Sequence, residues 1–263
     1  MGYYEVKQVE PWLYSIYDPM SVFCYLAVGD EKALLYDTVF GVGDLNAVIR
    51  DITDKEVTVV LGHGHIDHAN GAHQFKSAYL HGGDIKLFET HTSAEYRAGI
   101  AKDLKDSSFE APAGFDPKTY IEMPPCELKS LKEGMQFELG GLRCEAVGMA
   151  GHTAGSVGLL FQDRQTLLVS DAANAHIWMF LEESLPISEY IKMLDRVYMM
   201  DFQTFYTGHG NEPQPKNMLK KYRKAALNAS VEKAVPYDKF PELKPYLYGE
   251  DGVEIVFSER TLR

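Results

Sequence analysis

Four metal-ligating side chains fall within six consecutive positions of Leu61-Gly62-His63-Gly64-His65-Ile66-Asp67-His68-Ala69-Asn70-Gly71, and no other stretch limits the fold as strongly. The β-branched run Val57 to Leu61 just before it predicts a strand buried on both faces. His63 and His65 stand two apart, so in extended backbone they point to one side and can chelate one ion. Asp67 and His68 follow where the chain turns toward a helix, displaced enough to serve a second ion, and the flanking glycines let backbone approach closely. Without metal, gathering three imidazoles and a carboxylate would leave buried polar groups unpaired, at roughly 1 to 3 kcal/mol each. The segment therefore reads as a two-metal turn at the end of a buried strand. The isolated His73, His81 and His91 read as ordinary core or surface histidines.

Three later positions extend the set, each after a predicted strand and beside glycine or small residues: His152 in Gly151-His152-Thr153, Asp171 in Val169-Ser170-Asp171-Ala172, and His209 in Gly208-His209-Gly210. The surrounding pattern is that of a layered α/β protein. Strands are predicted at Tyr3 to Val9, Trp12 to Tyr17, Val22 to Val28 and Ala33 to Asp37, followed by an amphipathic helix at Leu45 to Ile52. A second half repeats the texture at Gln136 to Leu139, Leu142 to Val147, Val157 to Phe161 and Thr166 to Ser170, with hairpins at Gly140-Gly141 and Asp163-Arg164. Helices from about Ser188 to Met200 and Lys216 to Asn228, a strand at Thr204 to Tyr206 and a final strand at Val253 to Phe257 complete it. Residues 91–125 read as a lid-like insertion: a helical piece at Ala94 to Leu104, then a proline- and glycine-containing loop. No linker divides the chain, so residues 1–263 are expected to form a single domain.

Composition narrows the partners. At 45% hydrophobic and 24% charged the chain can bury a full core, and its longest apolar runs fall far short of the roughly 20 residues that cross a bilayer. Neither a signal peptide nor a membrane is expected, and the location reads as cytoplasmic. A net charge of −12 with no basic stripe argues against extended nucleic acid. The scattered Cys24, Cys126 and Cys144 suggest neither a disulfide framework nor a cysteine zinc site.

In the order of its ligands, from the HxHxDH motif through His152, Asp171 and His209, the chain resembles the metallo-β-lactamase superfamily over most of its length. The resemblance implies a four-layer αββα sandwich with a dinuclear site at one edge between the sheets. It implies that His63, His65 and His152 bind one ion, that Asp67, His68 and His209 bind the other, and that Asp171 bridges them. Zinc is the first choice for an imidazole-rich set, while ligand type alone leaves iron and manganese open. The expected activity is that of a dinuclear hydrolase whose metal-bridging hydroxide attacks an ester-type small molecule, with Asp67 or Asp171 orienting it.

Departures within the family narrow the substrate. Antibiotic-hydrolysing members lack the bridging aspartate, glyoxalase II-like thioesterases carry a larger helical C-terminal part than the tail after His209, and homoserine-lactone lactonases place a tyrosine where Ala172 to His176 stands. Phosphodiesters and carboxyl esters or lactones remain, with β-lactam and thioester hydrolysis as alternatives. His176, Trp178 and Phe180 are candidates to line an apolar pocket, and Arg97, Lys102 and Lys105 to hold a phosphate or, more simply, to form a solvated helix face. A non-catalytic metal-binding sensor and a di-iron redox protein are the readings from another class; the flavodiiron family has a carboxylate where His65 stands. The Pro- and Tyr-rich segment from Pro236 to Tyr248 is expected to pack across the domain or a homodimer interface.

Overall fold

A computed structural model describes residues 2–106 and 110–263 of the chain. Its first half is a seven-stranded sheet in sequential order: β1 (Glu5–Glu10), β2 (Leu13–Asp18), β3 (Val22–Val28), β4 (Lys32–Tyr36), β5 (Glu56–Val60), β6 (Ser77–His81) and β7 (Glu127–Leu131). The first four form an antiparallel meander, and β4 to β7 run parallel. Seven strands follow: β8 (Gln136–Glu138), β9 (Arg143–Gly148), β10 (Val157–Phe161), β11 (Thr166–Ser170), β12 (His176–Met179), β13 (Thr204–Thr207) and β14 (Gly210–Pro215). Six of them make a second sheet in the order β14-β13-β11-β10-β9-β8. The remaining one, β12, pairs in parallel with β17 (Val253–Phe257) in a small sheet completed by β16 (Tyr246–Glu250) and β15 (Val235–Pro236).

The two large sheets face each other through Tyr25, Leu34, Tyr36 and Val60 on one side and Ala146, Leu159, Phe161, Leu168 and Tyr206 on the other, all buried. Helices cover the outer faces. α1 (Leu45–Ile52) begins where the Asp44 side chain accepts from the Ala47 amide at 2.8 Å, and it lays Leu45 and Ile49 onto the outer face of the first sheet, beside Leu26 and Leu35. Each such side chain contributes roughly 1.5 to 3 kcal/mol of burial. α2 (Ile66–Ala69) and α3 (Ile85–His91) pack on the same side. Further along the chain, α6 (Ile187–Tyr198) and α7 (Met218–Asn228) bury Tyr190, Leu194, Leu219 and Tyr222 against Val147, Leu167 and Phe205 of the second sheet. The layering is therefore αββα, as expected.

Two buried tyrosines join the sheets beside the strand ends that matter. The Tyr36 hydroxyl donates to the Val157 carbonyl at 2.7 Å, and the Tyr25 hydroxyl is shared between the carbonyls of Thr207, at 2.9 Å, and Gly210. Burial raises both phenols well above their ordinary range, so they remain donors. The Val157 amide in turn donates to the Gly62 carbonyl at 2.8 Å, which sets the turn after β5 against the turn before β10.

The structure sharpens the sequence reading at β5 and departs from it in the insertion. β5 is covered on both faces at its C-terminal end, Val59 lying in the core under the outer helices and Val60 in the core between the sheets, while Glu56 is exposed and Val57 and Thr58 are half-buried where the strand begins. The insertion is more regular than a loop. α4 (Ala94–Asp106) is followed by α5 (Pro117–Glu122), whose first turn is capped by Asp116 and carries proline at its start, where a missing amide costs nothing. Leu104 and Tyr120 bury with Val42 against Phe40 and Met20, so this part packs on the body; the stretch of predicted loop at 107–109 lies outside the described residues. Among the described residues, no helix is long and apolar enough to cross a membrane.

Asp18, at the end of β2, is fully buried; its Oδ1 accepts from the Tyr3 hydroxyl and the Met20 amide. Burial pushes its carboxyl up to about 6 despite these bonds. A folded value above the unfolded one means that its contribution to stability is complete below about pH 4 and is lost as pH rises through about 6. In metal-stripped protein, the unfolding free energy of the wild type relative to Asp18→Asn is expected to fall by about 2 to 3 kcal/mol between pH 4.5 and 7.5. Denaturant titrations across that range measure it, and a pH-independent difference would refute the account.

Candidate metal centre

The seven residues come from four strand ends at one edge of the sandwich. The chain leaves β5 at Gly62 and delivers His63 and His65, then Asp67 and His68 on α2; His152 lies beyond β9, Asp171 directly after β11 and His209 after β13. The backbone is forced there. Asp37, Val39 and Ser170, and Ser21 in the β2–β3 turn, all have positive φ, at 63°, 49°, 50° and 69°. Such positions cost on the order of 1 to 3 kcal/mol in residues other than glycine and gather where geometry is functional. Glycine is required at 208: a Cβ there would stand 2.4 Å from His68 Cε1 and 2.8 Å from Asp171 Oδ1.

His63 Nε2 and His152 Nε2 lie 3.0 and 2.9 Å from His65 Nδ1. Each ring's other nitrogen has an acceptor. His63 Nδ1 donates to Ser170 Oγ at 3.2 Å, His65 Nε2 to Glu183 Oε1 at 2.5 Å, and His152 Nδ1 to the Trp178 carbonyl at 2.7 Å. Ser170 is free to accept because its own hydroxyl donates to Asp37 Oδ2 at 2.6 Å. These bonds select the tautomers that turn three lone pairs toward one point. Three lone pairs at such spacing repel, and burial together with the adjacent rings holds His63 and His152 below the ordinary histidine range, so protons do not relieve them. Two nitrogens 2.0–2.1 Å from one tetrahedral ion would stand about 3.3 Å apart, close to what is seen.

The second group is Asp67, His68, Asp171 and His209. His68 Nε2 stands 3.3 Å from Asp67 Oδ2 and 3.5 Å from Asp171 Oδ2, and His209 Nε2 stands 3.7 and 3.2 Å from the same two atoms. The outer nitrogens are again anchored, His68 Nδ1 donating to Asp37 Oδ2 at 3.0 Å and His209 Nδ1 to the Ser21 carbonyl at 2.7 Å. Burial alone would raise the Asp67 and Asp171 carboxyls, but the imidazoles of His68 and His209 overcome it and hold both low. By the same attraction, burial notwithstanding, His209 is pushed up to about 9 and His68 well above its ordinary value. The site thus demands positive charge, as protons or as cations. Asp171 Oδ2 also lies 4.0 Å from His152 Nε2, so one carboxylate oxygen faces both groups. His68 Nε2 and Asp171 Oδ1 are buried without a hydrogen-bond partner among the described residues. The donor set, the tautomers and these orphaned atoms fit a pair of divalent ions.

The other candidates fall elsewhere. The Trp178 and Phe180 side chains pack with Tyr237 and Phe240 under the C-terminal segment, and His176 bonds Glu254 at 2.6 Å and Tyr237 at 3.3 Å; what β12 brings to the site is the Trp178 carbonyl. Arg97 is neither a solvated face nor a free phosphate holder. It is buried, with Nε donating to Asn70 Oδ1 at 2.8 Å and its guanidinium to the Met123 carbonyl, because α4 lies against the turn after α2. Lys102 and Lys105 are exposed. His91, read as ordinary, stacks on His65 with ring centroids 4.9 Å apart. Asp37, Ser170 and Glu183 escape the sequence reading. A carboxylate at the end of β4 and a serine beside Asp171 are faint signals, and Glu183 carries none.

The family model of the metallo-beta-lactamase superfamily matches residues 17–212, about three-quarters of the chain. No curated protein sequence matches it. Among solved structures, a metallo-beta-lactamase family protein from Thermus thermophilus is 20% identical, with TM-score 0.57 over 82% of this chain and 80% of its own. The inverting sec-alkylsulfatase Pisa1 from Pseudomonas sp. is 16% identical, with TM-score 0.61 over 85% of this chain, which spans only 41% of that enzyme. TTHA1623, solved in a di-iron-bound form, is 19% identical, with TM-score 0.55 over 78% of this chain and 95% of its own. At these identities the neighbours speak for the fold alone. The matched span carries every residue of the two clusters, and the chain belongs to the metallo-beta-lactamase superfamily.

Proposed function

We propose that the protein is a dinuclear hydrolase of uncharged carboxyl esters or lactones, with His63, His65 and His152 holding one divalent ion, Asp67, His68 and His209 the other, and Asp171 between them. Zinc is the preferred metal on an imidazole-rich donor set. Such a pair supplies an activated water and an electrophile for the substrate oxygen. The chain's own part is to fix five imidazoles by hydrogen bonds from their outer nitrogens, so that no reorganisation is needed when substrate binds.

The observation that carries the choice of substrate is electrostatic. Among the described residues, the ion-pair partners of the Asp67, Asp171 and Glu183 carboxylates are histidines, and no lysine or arginine nitrogen lies within 4.0 Å of them. Glu183 adds a carboxylate beside His65, held down at about 2 by that histidine against the effect of burial. A phosphodiester would have to place its charge on the ions alone, with no cationic side chain to share it, since Arg97 is committed elsewhere. An uncharged ester needs no such side chain.

Initial rates of the zinc-loaded protein on a phosphodiester, a phosphomonoester, a carboxyl ester, a lactone and a cephalosporin, compared as kcat/KM, test this. The carboxyl ester or lactone is expected to lead by about tenfold or more, equivalent to about 1.4 kcal/mol. Phosphodiester dominance would overturn the charge argument, and cephalosporin dominance would return the protein to the antibiotic-hydrolysing branch.

A further inference from the structure

His65 has a second polar neighbourhood on the side away from His63 and His152. Its Nε2 meets Glu183 Oε1 at 2.5 Å, and His91, the last residue of α3, stacks on its ring with the planes 29° apart. Tyr96 of α4 stacks in turn on His91, at 4.4 Å between centroids and 27° between planes. The loop bearing Glu183 is fastened from the far end of the chain: Arg260 donates to the Ser184 carbonyl at 3.1 Å and to that of Leu181. Three separate elements are thus held around one imidazole. One ligand atom from each of His65, His91 and Glu183 lies within 4.8 Å of the others. His91 Nδ1 is buried and has no hydrogen-bond partner among the described residues. A lone carboxylate that only oriented His65 would not call for a second imidazole with an unsatisfied nitrogen beside it.

We propose that His65, His91 and Glu183 form a third divalent-ion site that shares His65 with the buried trio. Two imidazoles and a carboxylate are a donor set that zinc accepts with a position left open. His65 is nearly buried, while His91 and Glu183 are half-exposed, so this ion exchanges with solvent more readily than the inner pair. The proton balance is explicit. Binding replaces the Nε2–H of His65 with a metal–nitrogen bond and releases that proton to solvent, and His65 then bridges two ions through its two nitrogens. The third ion displaces the hydrogen bond that orients His65, so its occupancy feeds back on the trio.

The test is the metal content of the protein already loaded with two zinc ions, dialysed against rising free zinc and analysed as zinc per chain. The wild type is expected to rise from two to three, with about one further proton released. His91→Phe, which keeps the ring stack and removes both nitrogens, and Glu183→Gln are expected to stay at two over the same range, with thermal unfolding confirming that both fold. A wild type that saturates at two overturns the proposal, and so does a third zinc retained by His91→Phe. Saturation at one would overturn it together with the two-ion reading of the inner clusters. Hydrolysis does not enter the readout, so a wrong substrate class leaves the result intact.

Discussion

Replacing Asp171 with alanine is expected to lower kcat/KM on the preferred substrate by about a thousandfold or more, equivalent to about 4 kcal/mol of transition-state stabilisation. Its Oδ2 stands 3.2 Å from His209 Nε2, 3.5 Å from His68 Nε2 and 4.0 Å from His152 Nε2, so no other carboxylate among the described residues reaches both groups. Without it, the charge that sets the spacing of two cations is gone, and metal content should drop from two ions toward one per chain. The fold should survive, because Asp171 sits at the rim of β11 with its side chain 16% exposed, and the strand's pairings to β10 and β13 do not involve the carboxylate. Rates and elemental analysis on the same preparation check both statements. A variant that keeps two ions and loses less than tenfold in rate would show that Asp171 does not stand between them.

The second large effect is expected from a residue that touches no ion. Asp37 is buried and accepts from three donors: the Gly62 amide at 2.7 Å, Ser170 Oγ at 2.6 Å and His68 Nδ1 at 3.0 Å. Asp37→Ala leaves all three without an acceptor, at roughly 1 to 3 kcal/mol each, or about 3 to 6 kcal/mol if neighbouring groups recover part of it. That is a large share of the roughly 5 to 15 kcal/mol by which a domain is stable. It also frees the tautomer of His68 and, through Ser170, that of His63, so zinc affinity should fall by about 10- to 100-fold. Asp37→Asn keeps one carbonyl acceptor and should recover part of both losses. Chemical unfolding and competitive zinc titration measure them separately. If Asp37→Ala lost stability but bound zinc unchanged, the link from Asp37 to the ligand tautomers would be wrong.

How far the fold can be read depends on how much of each element's neighbourhood lies nearby in the chain. Val22–Val28, Val157–Phe161, Thr166–Ser170 and α1 have the bounds their hydrophobic patterns predict, since each is central to a layer and patterned on its own account. β6, β7 and β14 leave no such mark. β7 and β14 are edge strands, mostly polar, and β14 carries two prolines, which an edge tolerates because one row of backbone groups needs no partner. α5 hides behind Pro117, which reads as a loop signal but serves as the first turn of a helix.

The sequence by itself determined the set of candidate ligands. Imidazole and carboxylate at those spacings declare their chemistry without reference to anything distant, and four of the seven are neighbours along the chain. Only the tertiary structure decided how the set is aimed and what surrounds it. Asp37 reaches His68 across 31 positions, Glu183 reaches His65 across 118, and the Trp178 carbonyl reaches His152 across 26. It also withdrew Arg97 into the body and turned His91 from an ordinary histidine into a neighbour of the centre. A ligand is a property of a side chain. Its tautomer, its charge and its access to solvent belong to whatever packs against it, and packing joins residues that the linear order keeps far apart.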